Sequence, residues 1–242
     1  MKKTLLNFII LISGISLFAL SSCRFACVRG NGNSITETRQ VSDFNMIDIS
    51  GDFKVNIKQD STASPSLTID ADDNLLKYIK TSVSSGKLRI YIRKNICNSG
   101  RMTVNVNMRN ITDVAASGAV EINSVGKILT KDIHFNLTGA TKLTMDLNAA
   151  NVHTEGSGAT KINLTGQASS HHVELTGAGR VNAFDFVVGD YNIENSGASK
   201  CQINVLNSLN VHTSGASKIQ YRGNPKTINN DKSGASSIEK VD

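Results

Sequence analysis

Three histidines, His134, His153 and His172, recur at intervals of 19 residues. Imidazoles held in register could ligate a metal ion or titrate together near neutral pH. Glu155, Glu174 and Glu194 keep nearly the same interval, with Asp231 further on. Stacked carboxylates could serve a glycan hydrolase, which needs two of them about 5 to 9.5 Å apart. Five cations, Lys142, Lys161, Arg180, Lys200 and Lys218, repeat in the same manner. On strands about 4.8 Å apart they would form a basic stripe beside an acidic one. Such stripes fit docking of a charged polymer or a partner subunit, and they equally fit solvated faces that keep a protein soluble.

The interval comes from a repeated tripeptide, Ser/Thr-Gly-Ala, with glycines at Gly118, Gly139, Gly158, Gly177, Gly197, Gly215 and Gly234. Successive spacings are 21, 19, 19, 20, 18 and 19 residues. A period this regular predicts a solenoid, one coil per repeat. Six residues before the glycine stand Thr112, Ile133, Val152, His171, Tyr191, Leu209 and Ile228, and four before it stand Val114, Phe135, Thr154, Val173, Ile193, Val211 and Asn230. Four residues after it stand Ile122, Leu143, Ile162, Val181, Cys201, Ile219 and Ile238. Polar residues separate these columns, the alternation of half-buried strands. The expected fold is therefore all-β, a parallel β-helix or β-solenoid with coils of about 19 residues. Each coil would hold two short strands joined at the tripeptide, with a closing turn between coils. The glycines would be structural corners with positive φ, and the invariant alanine predicts a space for a single methyl group.

Set in these columns, the chemistry thins out. The histidine column continues as Asn192, Asn210 and Asn229, and no carboxylate column completes an obvious coordination sphere. It reads as a polar ladder, and no metal or other cofactor is assigned; His171 and His212 fall in other columns. The serine or threonine before each glycine is interchangeable among copies, whereas a nucleophile would need one copy to differ and to meet a base. The spacings vary by only three residues, leaving no coil with the long inserted loops of glycan-cleaving β-helices. The lead expectation is a non-catalytic binding or structural module. The alternatives are a polysaccharide-degrading enzyme and a periplasmic structural or signalling partner.

The N-terminus supplies an address. Met1-Lys2-Lys3 is followed by an apolar run from Leu5 to Leu20 and then Ser21-Ser22-Cys23. Basic start, short apolar stretch and small residues read as a secretory signal over residues 1–22. Leu20-Ser21-Ser22-Cys23 resembles the bacterial lipobox, which predicts acylation of Cys23 and a membrane anchor. Residues 23–34 read as a lipidated tether and 35–242 as a single solenoid domain. Loss of Lys2 and Lys3 lowers the formal charge from +6 to +4. With no Trp and no basic cluster interleaved with aromatics, nucleic-acid binding is not expected. Cys27, Cys97 and Cys201 remain, so at most one pair can form within the chain. Cys201 occupies an apolar column and reads as a small buried hydrophobe.

Residues 35–110 continue the β theme as irregular opening coils and a cap, with 111–242 holding the seven regular coils. Ile47 to Ile57 looks like a degenerate coil with Ser50-Gly51-Asp52 at its corner, and Asp72 to Ile79 suggests one or two helical turns. Phe44-x-x-Ile47-x-Ile49-x-Gly51, Val55-x-Ile57, Ala71-Asp72-Asp73-Asn74-Leu75-Leu76 and Gly86-Lys87-Leu88-x-Ile90 precede the Ser-Gly-Ala coils in that order. Together they resemble the bacterial family known as putative autotransporter adhesin, head GIN domain, over roughly residues 40–240. The resemblance implies a β-helical envelope protein, often a lipoprotein of the Bacteroides group, and transfers no catalytic residues. Outer-membrane attachment through Cys23 is then expected, the lipid standing in for an autotransporter's barrel. No acidic run follows Cys23, which favours the periplasmic face over the cell surface. A glycan or protein ligand and self-association into a homo-oligomer are the partners such a module would have.

Overall fold

Apolar and polar residues alternate on both sides of each corner, and long bent strands result. The computed structural model describes residues 27–97 and 100–242; Cys23 and the signal segment lie outside the described residues. Strands β7 (Asp113–Leu129), β8 (Asp132–Gly139), β9 (Lys142–Gly158), β10 (Lys161–Gly177), β11 (Arg180–Gly197) and β12 (Lys200–Gly215) follow one another. β13 (Lys218–Arg222), β14 (Thr227–Gly234) and β15 (Ser237–Lys240) complete the last coils. Neighbours pair in parallel, residue on residue: β10 meets β9 from Lys161↔Lys142 to Gly177↔Gly158. This is a β-solenoid with the predicted period.

The ladder runs unbroken through the Gly51–Gly118 corner. It breaks just after each later corner and continues through the opposite bends of β9 to β12, where the sequence suggests a closing turn. In β10 the inward residues are Ile162, Leu164, Ala168, His171, Val173 and Leu175. Their spacing stretches from two to four and then three, so the strand bends twice while its backbone stays bonded to the next coil. Unequal repeat lengths are absorbed as bulges, which let one strand carry extra residues. The β10–β11 register shifts between Asn163 and Gly166 and then runs unbroken to Gly177↔Gly197.

The corner glycines answer two constraints. Their φ values run from +84° at Gly234 to +125° at Gly197, a region costly for residues with a Cβ. They also stack, and a Cβ on Gly177 would lie 2.9 Å from the Gly158 carbonyl oxygen. The alanines behave differently from expectation: all seven, from Ala119 to Ala235, are exposed. No cavity limits them to a methyl group. Their visible contribution is the backbone, as when the Ala178 N–H donates to Gly158 O at 2.8 Å.

Inward columns form the core. Ile122, Leu143, Ile162, Val181, Cys201 and Ile219 lie one above another, all fully buried. Each such side chain contributes about 1.5–3 kcal/mol relative to exposure.

The N-terminal region departs from simple coils. Its elements are β1 (Ser34–Arg39), β2 (Met46–Gln59), β3 (Ser66–Asp72), α1 (Asp73–Leu76), β4 (Ile79–Ser84), β5 (Lys87–Ile92) and β6 (Thr103–Met108). β2 is the first coil, pairing with β7 and setting Gly51 against Gly118. On its other side lie β5 and β6, both parallel to it. β4 then runs antiparallel to β5, β3 to β6 and β1 to β3. Of the stretch read as opening coils, β2 alone stacks as a full coil; the antiparallel strands cover the solenoid end, whose open edge would otherwise template pairing.

The stretch read as a tether is also fastened from Cys27 onward. Cys27 is disulfide-bonded to Cys97, with their Cα atoms 5.7 Å apart. Val28 bridges Ile96. Asn31 Nδ2 and Asn33 Nδ2 donate to the Asp73 carboxylate at 2.6 and 2.8 Å. Those two amides, Asn33 first, hold the Asp73 carboxyl below its ordinary range.

Candidate functional site

Because His134, His153 and His172 occupy one outward column of β8, β9 and β10, the register stacks them. Ring centroids are 4.7 Å apart for His134 and His153, and 4.8 Å for His153 and His172. Asn192 caps the column, its Nδ2 lying 2.8 Å from His172 Nδ1. Two residues further along the same strands, on the same face, stand Glu155 and Glu174. His153 Nε2 is 3.1 Å from Glu155 Oε1, and His172 Nε2 is 2.7 Å from Glu174 Oε1. Glu155 also meets His134 Nε2 at 3.3 Å. The hydrogen bond from His153 is the main cause holding the Glu155 carboxyl below its usual range. Contrary to the sequence expectation, a carboxylate column does complete the histidines' surroundings, and it is the acidic stripe itself. The signal was His-x-Glu, present as His153-Thr154-Glu155 and His172-Val173-Glu174.

The acidic stripe continues by register through Glu194, His212 and Asp231. His212, set aside in the sequence, reaches Asp231 Oδ2 with Nδ1 at 3.1 Å. His171, also set aside, faces the core. Thr154 Oγ1 lies 2.9 Å from its Nε2, and Phe186 and Tyr191 flank the ring. Burial first, then the neighbouring imidazoles of His172 and His153, brings its pKa down to about 3, so it is a neutral core residue.

The five cations also align, Lys142 with Lys161, Lys161 with Arg180, Arg180 with Lys200 and Lys200 with Lys218. Their electrostatics are uneven. Lys142 Nζ is 2.9 Å from Glu121 Oε1 and Lys218 Nζ is 2.7 Å from Glu239 Oε1. These lysines hold both carboxyls below their ordinary range, chiefly through the hydrogen bond. Among the described residues no ion pair reaches Lys161, Arg180 or Lys200. The stripe is therefore three cations outside any ion pair, between two ion-paired ends, with Glu239 also within electrostatic reach of Lys200.

Cys201 is fully buried and free. Burial pushes its thiol up to about 12, leaving no thiolate for chemistry.

The fold and its charged ladders define a β-solenoid protein with an antiparallel cap. The chain matches the family described as "Putative auto-transporter adhesin, head GIN domain" over residues 43–225, and it belongs to that family. Solved structures share its fold. A "putative adhesin" from Bacteroides fragilis superposes with a TM-score of 0.85 at 19% identity, over 88% of this chain and 100% of that one. A "putative lipid binding protein" from Parabacteroides distasonis gives 0.69 at 18% identity, over 90% and 100%. A "putative adhesin" from Parabacteroides merdae gives 0.66 at 19% identity, over 89% and 99%. No curated protein matches the chain in sequence.

Proposed function

We propose that this adhesin-family protein is a non-catalytic, lipid-anchored module of the cell envelope that contacts an anionic polymer through its basic ladder. The observation that carries the contact face is the run Lys161, Arg180 and Lys200, three cations in register and outside any ion pair among the described residues. Holding like charges about 4.8 Å apart costs free energy that an anionic chain laid along the stripe would recover. Extended contact of this kind suits a repetitive surface, because each coil presents the same group at the same pitch. A glycan or polymeric lipid headgroup array with regularly spaced acids has the matching chemistry.

The anchor reading rests on Leu20-Ser21-Ser22-Cys23 behind the apolar run, and the lack of acidic residues from Arg24 to Ser34 favours the periplasmic leaflet. Cell fractionation tests it. Wild type should sediment with membranes, and Cys23→Ala should move to the soluble fraction. Equal sedimentation of both would overturn the anchor.

A further inference from the structure

We propose that His134, His153 and Glu155 form a binding site for one first-row divalent cation of the zinc class. Imidazole and carboxylate are the donors such ions take. The three candidate ligand atoms lie within 4.8 Å of one another. Glu155 Oε1 is 3.3 Å from His134 Nε2 and 3.1 Å from His153 Nε2. Around a tetrahedral zinc with bonds of about 2.0–2.1 Å, neighbouring ligand atoms stand about 3.3 Å apart. The two contacts to Glu155 therefore already have the required spread.

The hydrogen bonding around the site points the same way. Asp113 Oδ2 lies 3.3 Å from His134 Nδ1. A carboxylate on the outer ring nitrogen is the usual support of a metal-bound imidazole, and it leaves the lone pair on Nε2. His134 Nε2 is sealed from solvent and stands 3.3 Å from Glu155 Oε1. A cation, either a proton or a metal ion, therefore belongs between the two atoms. Glu155 is steadied from behind, since Asn136 Nδ2 donates to its other oxygen at 3.0 Å.

The neighbouring triad is closed by comparison. Asn192 donates to His172 Nδ1, so the ring hydrogen sits on Nε2 and is given to Glu174. His153 Nε2 also gives its hydrogen to Glu155, and a bound ion would take that hydrogen's place. Since Nε2 can serve only one ion, we assign it to the His134 side, where among the described residues no amide fixes the ring hydrogen on Nε2. The three side chains are partly exposed as a whole, and a fourth ligand would come from outside the triad.

Titration of the purified full-length chain with Co2+, read by visible absorption, tests the site. Tetrahedral d–d bands should grow and saturate at one equivalent. His134→Ala and His153→Ala should each abolish them. Asp113→Asn should weaken binding by about 10–100-fold, the usual size for an outer-shell partner, while His172→Ala should leave the bands intact. Zn2+ should also raise the thermal midpoint of wild type but not of His134→Ala. Far-UV circular dichroism shows that each variant is folded. Absence of bands at excess Co2+ would overturn the site and leave a proton as the cation between His134 and Glu155. Equal bands in His134→Ala, or their loss in His172→Ala, would overturn the assignment as well.

Discussion

Two buried side chains show how far position in a column decides chemistry. Cys201 shares its column with isoleucine, leucine and valine, and with its thiol pushed up to about 12 it stays neutral. In the native chain it should resist a thiol reagent such as DTNB and react stoichiometrically once denaturant is added. Rapid labelling without denaturant would contradict its burial. His171 has a folded pKa of about 3 against an ordinary 6.5. Because the lowered value belongs to the folded state, the unfolded chain binds the extra proton. Its contribution is complete above pH 6.5 and is lost progressively as pH falls towards 3, at about 1.4 kcal/mol per pH unit. Urea unfolding at pH 7, 5.5 and 4 should show His171→Leu losing less stability over that range than wild type. Parallel losses would show that His171 does not stay neutral in the fold.

At the scale of the element, the corner decides the coil. Gly177→Ala meets both a φ of +104° and a carbonyl oxygen 2.9 Å from the new Cβ. It should cost about 1–3 kcal/mol, while Ala178→Ser, at an exposed position, should stay within about 0.5 kcal/mol. Thermal unfolding of the two variants side by side decides it. This contrast also marks what the sequence could convey. Identity across copies showed that both positions repeat, and alternation showed which columns face inward, because side-chain period in a strand is two. It could not show that glycine repeats through a steric clash between coils while alanine does not. The cap was legible as irregular, yet its antiparallel pairing depends on contacts between segments far apart in the chain. The same limit hid the Cys27–Cys97 bond, which closes a separation of 70 residues. Replacing both cysteines by serine should cost about 2–4 kcal/mol, read as a lower urea midpoint under non-reducing conditions. The His-x-Glu pairs are legible in principle, since two residues along a strand share a face, but each column by itself shows only one of the two donor types.

On the scale of the whole molecule, stacking turns weak single residues into surfaces. One exposed lysine says little, whereas Lys161, Arg180 and Lys200 in register, flanked by the paired Lys142 and Lys218, define where positive potential accumulates. The most direct measurement is retention of the chain on an immobilised anionic polysaccharide such as polygalacturonate, with neutral dextran as control. Wild type should be retained on the anionic matrix and released as salt rises, because screening shortens the reach of the ladder. The Lys161→Ala, Arg180→Ala, Lys200→Ala triple variant should pass through both matrices. Equal retention of wild type and triple variant, or no retention of wild type at low salt, would contradict the basic ladder as the contact face.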